Sequence, residues 1–167
     1  MFETERLIIC RLSTDDAGFI FELLNTASWL QYIGDRGIKS LDDAKKYIVN
    51  GPVKSYETFG FGLYLVKLKN ENTPVGICGL IKRETLEDVD IGFAFLPEHT
   101  GKGYALESAA ATMTYAKTNL GLNRIVAITT EDNHSSINLL KKIGLTFEKL
   151  IKLAGEETEL LLFANSS

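Results

Sequence analysis

The chain reads as a mixed α/β protein, a sheet covered by helices, and two observations predict this. Strand-like apolar runs and stretches of helical periodicity follow one another as strand, two or three helices, three strands, helix, strand, helix, two strands. That order lacks the regular alternation of a parallel wind. A length of 167 residues, 45% hydrophobic and 24% charged, predicts one globular domain over residues 1–167, long enough to bury a core.

Taken in order, Leu7-Ile8-Ile9-Cys10-Arg11 predicts the first strand. Asp15 is placed to cap a helix that lines up Phe19, Ile20, Leu23 and Leu24. A short apolar piece around Trp29, Leu30, Tyr32 and Ile33 ends at Gly34. Ser40 opens a further helix with Asp42 and Asp43 in its first turn, and Gly51-Pro52 predicts an interruption. Phe61 to Lys67 and Pro74 to Leu80, joined by the polar turn Lys69 to Thr73, predict a hairpin. After the polar stretch Lys82 to Asp88 comes a strand from Val89 to Leu96, then a glycine turn and a long helix from Tyr104 to Leu120 stopped by Gly121. Arg124 to Thr129 is a short strand. Asn133-His134-Ser135-Ser136 opens a helix that turns Ile137, Leu140 and Ile143 inward and ends at Gly144. Leu145 to Leu153 and Glu157 to Ala164 are the last two strands.

Composition narrows the function classes. A net charge of −4 argues against nucleic acid as a partner, because phosphate binding draws on clustered Lys and Arg. No run approaches the roughly 20 apolar residues of a membrane helix, and the polar start Met-Phe-Glu-Thr-Glu-Arg does not resemble a secretion signal. Cys10 and Cys78 fall in separate strand-like runs, the pattern of buried free thiols in a reducing cytoplasm.

The chemistry concentrates in Pro97-Glu98-His99-Thr100-Gly101-Lys102-Gly103-Tyr104-Ala105. A strand that turns through glycines into a helix aims several unpaired N–H groups, and the positive end of the helix dipole, at one point, which is an anion site. Phosphate-loop spacing fails, since Gly103 follows Lys102 and no suitably spaced glycine precedes it. The dinucleotide fingerprint fails as well, with Glu107 and Ser108 where its third glycine belongs. A plain strand-to-helix turn remains the alternative at this point.

Thr100-Gly101-Lys102-Gly103-Tyr104-Ala105 resembles the [Q/R]-x-x-G-x-[G/A] signature of the GNAT superfamily of N-acetyltransferases, with Thr100 in place of the usual Gln or Arg. Asp90 to Pro97 resembles the strand before that signature, and Asn133-x-x-Ser136-x-x-Leu139-x-x-Lys142-x-Gly144 resembles the second cofactor motif. Thr4-Glu5-Arg6-Leu7, Trp29-Leu30, Gly62-Leu63 and Gly76-Ile77-Cys78-Gly79-Leu80 are similar to the RimJ/RimL branch, the ribosomal-protein N-terminal acetyltransferases. The resemblance covers nearly the whole chain. It implies a mixed, mostly antiparallel sheet of six to seven strands flanked by helices, and acetyl-coenzyme A as co-substrate. Thr100, Gly101, Lys102, Gly103, Tyr104 and Ala105 would then hold the pyrophosphate, and the strand edge at Phe95 and Leu96 the pantetheine arm, with Asn133 and Ser136 as further cofactor contacts.

Transfer to an amine requires an oxyanion donor, removal of a proton from the ammonium, and a proton for the leaving thiolate. It needs no enzyme nucleophile, and no nucleophile–histidine spacing is evident. The resemblance implies that the oxyanion donor is the backbone N–H near Phe95. Leu140 stands where many members carry the tyrosine acid, which leaves Ser136, either as proton donor to the thiolate or as a helix cap only. Asp90 is the candidate base, acting through water, with Glu84 and Glu87 as other candidates and a solvated carboxylate as the plain reading. Trp29 and Tyr32 are placed either to line an acceptor pocket or to pack in the core, with Glu84 as a further acceptor contact. His99 and His134 have no metal-type partner at short spacing, so surface polar roles are expected and no metal. The expected activity is acetyl transfer to a primary amine, on a protein N-terminus or a small molecule, by a monomer or homodimer. A non-catalytic acyl-coenzyme A sensor of the same fold is the alternative.

Overall fold

A computed structural model describes residues 1–165. Its strands are β1 (Phe2–Glu3), β2 (Leu7–Arg11), β3 (Leu63–Leu68), β4 (Pro74–Ile81), β5 (Asp90–Phe95), β6 (Val126–Thr129), β7 (Thr146–Ile151) and β8 (Leu160–Ala164). The helices are α1 (Ala17–Leu24), α2 (Ala27–Tyr32), α3 (Leu41–Ile48), α4 (Lys54–Phe59), α5 (Tyr104–Leu120) and α6 (His134–Lys142). The strands form one sheet in the order β1-β2-β3-β4-β5-β6-β8-β7. Among the described residues β5 and β6 are the one parallel pair; every other neighbouring pair is antiparallel.

The mixed, mostly antiparallel architecture is the expected one, with eight strands rather than six to seven. The extra strand, β1, pairs Phe2 with Ile9 and Glu3 with Ile8, and two residues are too few to carry a periodic signal. Helix starts show why cap chemistry misleads by a residue or two. Ser13, not Asp15, caps the first helical stretch: its hydroxyl accepts the Asp15 N–H while the Asp16 carboxylate takes the Ser13 N–H. Ser40 caps α3 as expected. Gly51-Pro52 does not interrupt the helix. A wide π turn over Val49–Val53 absorbs the proline, which has no N–H to give the ladder, and α4 continues to Gly60 at φ 82°.

Helices cover both faces, so the buried residues divide into two clusters. Ile9, Val66, Cys78, Ile91, Phe95 and Phe163 pack on the side of α5 and α6, around Ala109 and Leu140. Cys10, Leu65 and Ile77 pack on the side of α1 to α3, with Ile20, Leu23, Trp29 and Ile48. Strand alternation sorts β5 between them: Ile91, Phe93 and Phe95 face α5, whereas Ala94 faces α1 to α3. Of the trio predicted to turn inward from α6, Leu140 is buried and Ile137 and Ile143 are partly so. Both cysteines are buried and free, as expected. No helix among the described residues is long and apolar enough to cross a membrane.

Two glycines set how closely α4 and the β3–β4 hairpin approach. A Cβ at Gly79 would stand 2.1 Å from the Gly62 carbonyl oxygen, and one at Gly62 2.9 Å from the Tyr56 ring. Tyr56 uses this approach to hold two backbone groups, accepting from Leu12 N–H at 3.0 Å and donating to the Leu63 carbonyl. Gly79→Ala must therefore push backbone away from backbone, at a cost of about 1–3 kcal/mol. Gly18→Ala meets nothing within 4 Å on the exposed side of α1 and should stabilise by about 0.5–1 kcal/mol. Urea unfolding midpoints of the two variants should move in opposite directions.

Candidate active site

Strand β5 begins paired on both edges and ends paired on one. Its parallel contact with β6 is a single bridge, Asp90 with Val126, and Val126 N–H donates to Val89 at 3.0 Å. Arg124 holds this junction, donating to Asp88 at 2.9 Å and to Glu148 at 2.8 Å. Beyond it β6 turns away. Leu96 N–H donates to the Val75 carbonyl at 3.0 Å, so ladder alternation turns the N–H groups of Phe93 and Phe95 from β4 toward the gap. A cleft of about 1320 Å³ fills the gap, with Ile91 to Phe95 on one wall and Ala127 to Thr129 on the other.

At one end the cleft meets the glycine turn. Gly101 and Gly103 hold φ of 75° and 85°, left-handed values that glycine adopts without strain. His99 and Thr100 N–H groups close a 3-10 turn onto Leu96 and Pro97, and the Thr100 hydroxyl donates to Pro97 as well. No protein acceptor among the described residues takes the N–H groups of Gly101 through Leu106. The start of α5 thus presents a row of free donors to the cleft.

A carboxylate sits in that same first turn. Burial opposes ionisation of Glu107, but hydrogen bonds from Thr4 and from the Arg6 backbone and side chain hold it below its usual range. Arg6 binds it at 2.7 Å, donates to the Lys102 carbonyl at 3.0 Å and lies over the Tyr104 ring. Thr4-Glu5-Arg6-Leu7 therefore fastens the N-terminal strand to the turn and neutralises the acid beside the row of free N–H groups. Sequence reasoning gave Arg6 and Glu107 no role; an acid in the first turn after an anion loop is the signal that a cation must answer it.

A family profile described as an acetyltransferase (GNAT) domain matches residues 6–146. The chain belongs to the GNAT acetyltransferases. It is 29% identical to the uncharacterized N-acetyltransferase YnaD of Bacillus subtilis over 149 residues, 89% of this chain and 84% of that one. A GNAT-family acetyltransferase from Bacillus anthracis, solved by crystallography, superposes with a TM-score of 0.80 at 26% identity, covering 97% of this chain and 95% of its own. RimL, the ribosomal L7/L12 α-N-protein acetyltransferase solved with coenzyme A, shares the fold with a TM-score of 0.82 at 18% identity, covering 97% and 94%.

In this acetyltransferase most of the residues singled out from the sequence meet on the cleft. Phe95, Thr100, Gly101, Gly103, Tyr104, Ala105, Asn133 and Ser136 line it, as do Asp90, Trp29, Tyr32 and Glu84. Leu96 and Lys102 do not: Leu96 packs toward α1 to α3 with its N–H spent on Val75, and the Lys102 side chain is exposed. Glu87 is exposed away from the cleft. Ser136 is not a cap. The cap is Asn133, whose side-chain oxygen takes the Ser136 N–H at 3.3 Å, and the Ser136 hydroxyl has no protein partner among the described residues. His99 is partly buried, with Nδ1 unpartnered, rather than a surface group; His134 is exposed.

Asp90 is the largest departure from the sequence reading. It is 1% exposed, not solvated, and its Oδ1 accepts from Arg83 Nε at 3.1 Å. Burial pushes its pKa up from 3.8 to about 6 despite Arg83. The folded value lies above the free one, so stability falls as pH climbs from the ordinary carboxyl range to about 6, where Asp90 ionises. Arg83→Met removes the compensating charge and should lower the unfolding midpoint more at pH 8 than at pH 5. Equal losses at both values would show that Arg83 does not offset the buried carboxylate.

Proposed function

We propose that this acetyltransferase moves the acetyl group of acetyl-coenzyme A to a primary amine by direct attack, without an acyl-enzyme. The reading rests above all on one observation: the free edge of β5 leads straight into the free N–H row at the start of α5. The edge offers alternating donors and acceptors to the two amides of a pantetheine arm, as a missing strand would. Gly101 to Leu106 offer N–H groups and the helix dipole to a pyrophosphate, with Asn133 and Ser136 at the facing end of α6. RimL is known with coenzyme A on the same fold, in keeping with this assignment.

The chain's own groups then divide the work. The backbone N–H of Phe95, on the open β5 edge, donates to the carbonyl oxygen as it gains negative charge. Once the ammonium has given up one proton, its nitrogen bonds to the carbonyl carbon, the carbon–sulfur bond breaks, the thiolate takes a proton from the Ser136 hydroxyl, and the second proton shed by the nitrogen passes through solvent to restore Ser136. Asp90 receives the proton lost by the ammonium. At about 3.4 Å per residue, Asp90 lies about 10 Å from Phe93 and about 17 Å from Phe95 along the strand, so the proton passes through water. With a pKa of about 6, Asp90 is ionised at neutral pH and ready to accept it. The acceptor, a protein N-terminus or a small amine, enters from the side of Trp29, Tyr32 and Glu84. We take residues 1–167 as one such domain, working in the cytoplasm as monomer or homodimer.

Thiol release from acetyl-coenzyme A with a panel of amines tests the reaction, and a coenzyme A-dependent rise in melting temperature tests the cofactor. Ligand at about 100 times its dissociation constant should add about 2.7 kcal/mol; no shift would overturn the assignment. Phe95→Pro should abolish turnover while Phe95→Leu stays mild, since the backbone and not the ring carries the role. Ser136→Ala should lower kcat about 10²- to 10⁴-fold at saturating acetyl-coenzyme A, and unchanged turnover would leave Ser136 without a part in proton transfer.

A further inference from the structure

The acceptor end of the cleft carries a charge opposite to that of the chain. The protein is −4 overall, yet Arg36, Lys54, Lys82 and Arg83 line this end against only Glu84 and Asp90. Asp90 is already matched by Arg83 Nε, and Lys82 Nζ is spent on the carbonyls of Arg83 and Leu86. The remaining guanidinium N–H groups of Arg83, together with Arg36 and Lys54, have no protein acceptor among the described residues. Arg83 is nevertheless no loose surface cation: Asp90, itself buried, fixes its orientation, and its side chain is 30% exposed.

The neutral groups add to the imbalance. Trp29 lines the same region, is 5% exposed, and its indole N–H is buried with no acceptor. Indole only donates, and a buried donor left unpaired costs stability. Burial raises the Tyr47 pKa, and the positive charges of Arg36 and Arg83 pull it back down, so both act on one cleft-lining hydroxyl. A simple polyamine would bring further positive charge to these cations.

Resting on the acetyltransferase reading above, we propose that the acceptor is an amine that also carries a carboxylate, held away from the nucleophilic nitrogen. Arg83 and Arg36 read the carboxylate, while the nitrogen faces the open edge of β5. Guanidinium groups suit this because their paired N–H donors match the two oxygens of a carboxylate. A free amino acid and the acidic first residue of a peptide share this chemistry.

The test compares matched acceptors by kcat/KM: free amino acids against their carboxamides, peptides led by Asp or Glu against those led by Asn or Gln, and spermidine. Loss of the carboxylate should lower kcat/KM at least tenfold, and spermidine should be poorer still. The amino acid and peptide pairs tell which source of the carboxylate is used. Arg36→Gln, outside the Asp90 pair, should raise KM for carboxylated acceptors more than for the carboxamides. Carboxamides or spermidine turning over as well as carboxylated amines would overturn this inference and leave the acetyltransferase reading intact. Failure of every carboxylated acceptor, with coenzyme A still raising the melting temperature, would also overturn it alone. Failure of all amines together with no coenzyme A shift would overturn both.

Discussion

Everything at the cleft depends on β5 losing its partner strand after one bridge. A backbone edge inside a sheet is costly to leave unpaired, and exposed strands are normally covered, bulged or charged. Here the break is fixed at Asp90–Val126 and held by Arg124 between Asp88 and Glu148. The antiparallel bonds to β4 continue past Asp90 and hold β5 straight while β6 departs. The rigid wall thus comes from one neighbour and the open wall from the loss of the other.

The two ends of the open edge are prepared differently. Toward α5 the problem is to present many N–H donors without protein acceptors, and two left-handed glycines achieve it. The Arg6–Glu107 pair keeps that end fixed to the sheet and stops an acid in the first helical turn from opposing an anion. Toward Asp90 the problem is a buried charge. Arg83 meets only part of its cost, and the shortfall appears as a pKa near neutrality. The incomplete pairing that weakens the fold at this point also raises the proton affinity of the carboxylate, which suits the base role proposed for it.

The two-faced core explains why the glycines of the β3–β4 hairpin matter away from the chemistry. Gly62 and Gly79 bring Tyr56 and its helix onto the sheet, and α4 in turn forms part of the wall of the cleft. A methyl group there would shift a wall of the cleft as well as the core.

Much of this was legible in the amino-acid order because it is local. The span of α5 from Tyr104 to Leu120, its stop at Gly121, the hairpin around Lys69 to Thr73 and the anion turn depend on periodicity and on glycine's access to positive φ. The burial of Asp90 was not legible, because a strand's first residue beside a polar connection reads as solvated until β6 and Arg83 close over it. The cap at Ser13 and the π turn through Pro52 were missed because local rules tolerate several starts and more than one helical width. Strand order, the split of β5 from β6, and the meeting of Arg6 with Glu107 across 101 residues were decided by packing alone. Side-chain type and spacing determine which elements form and which groups can bind an anion. Only the tertiary structure decides which backbone edge stays open and which charges face one another, since both are set by neighbours far apart in the chain.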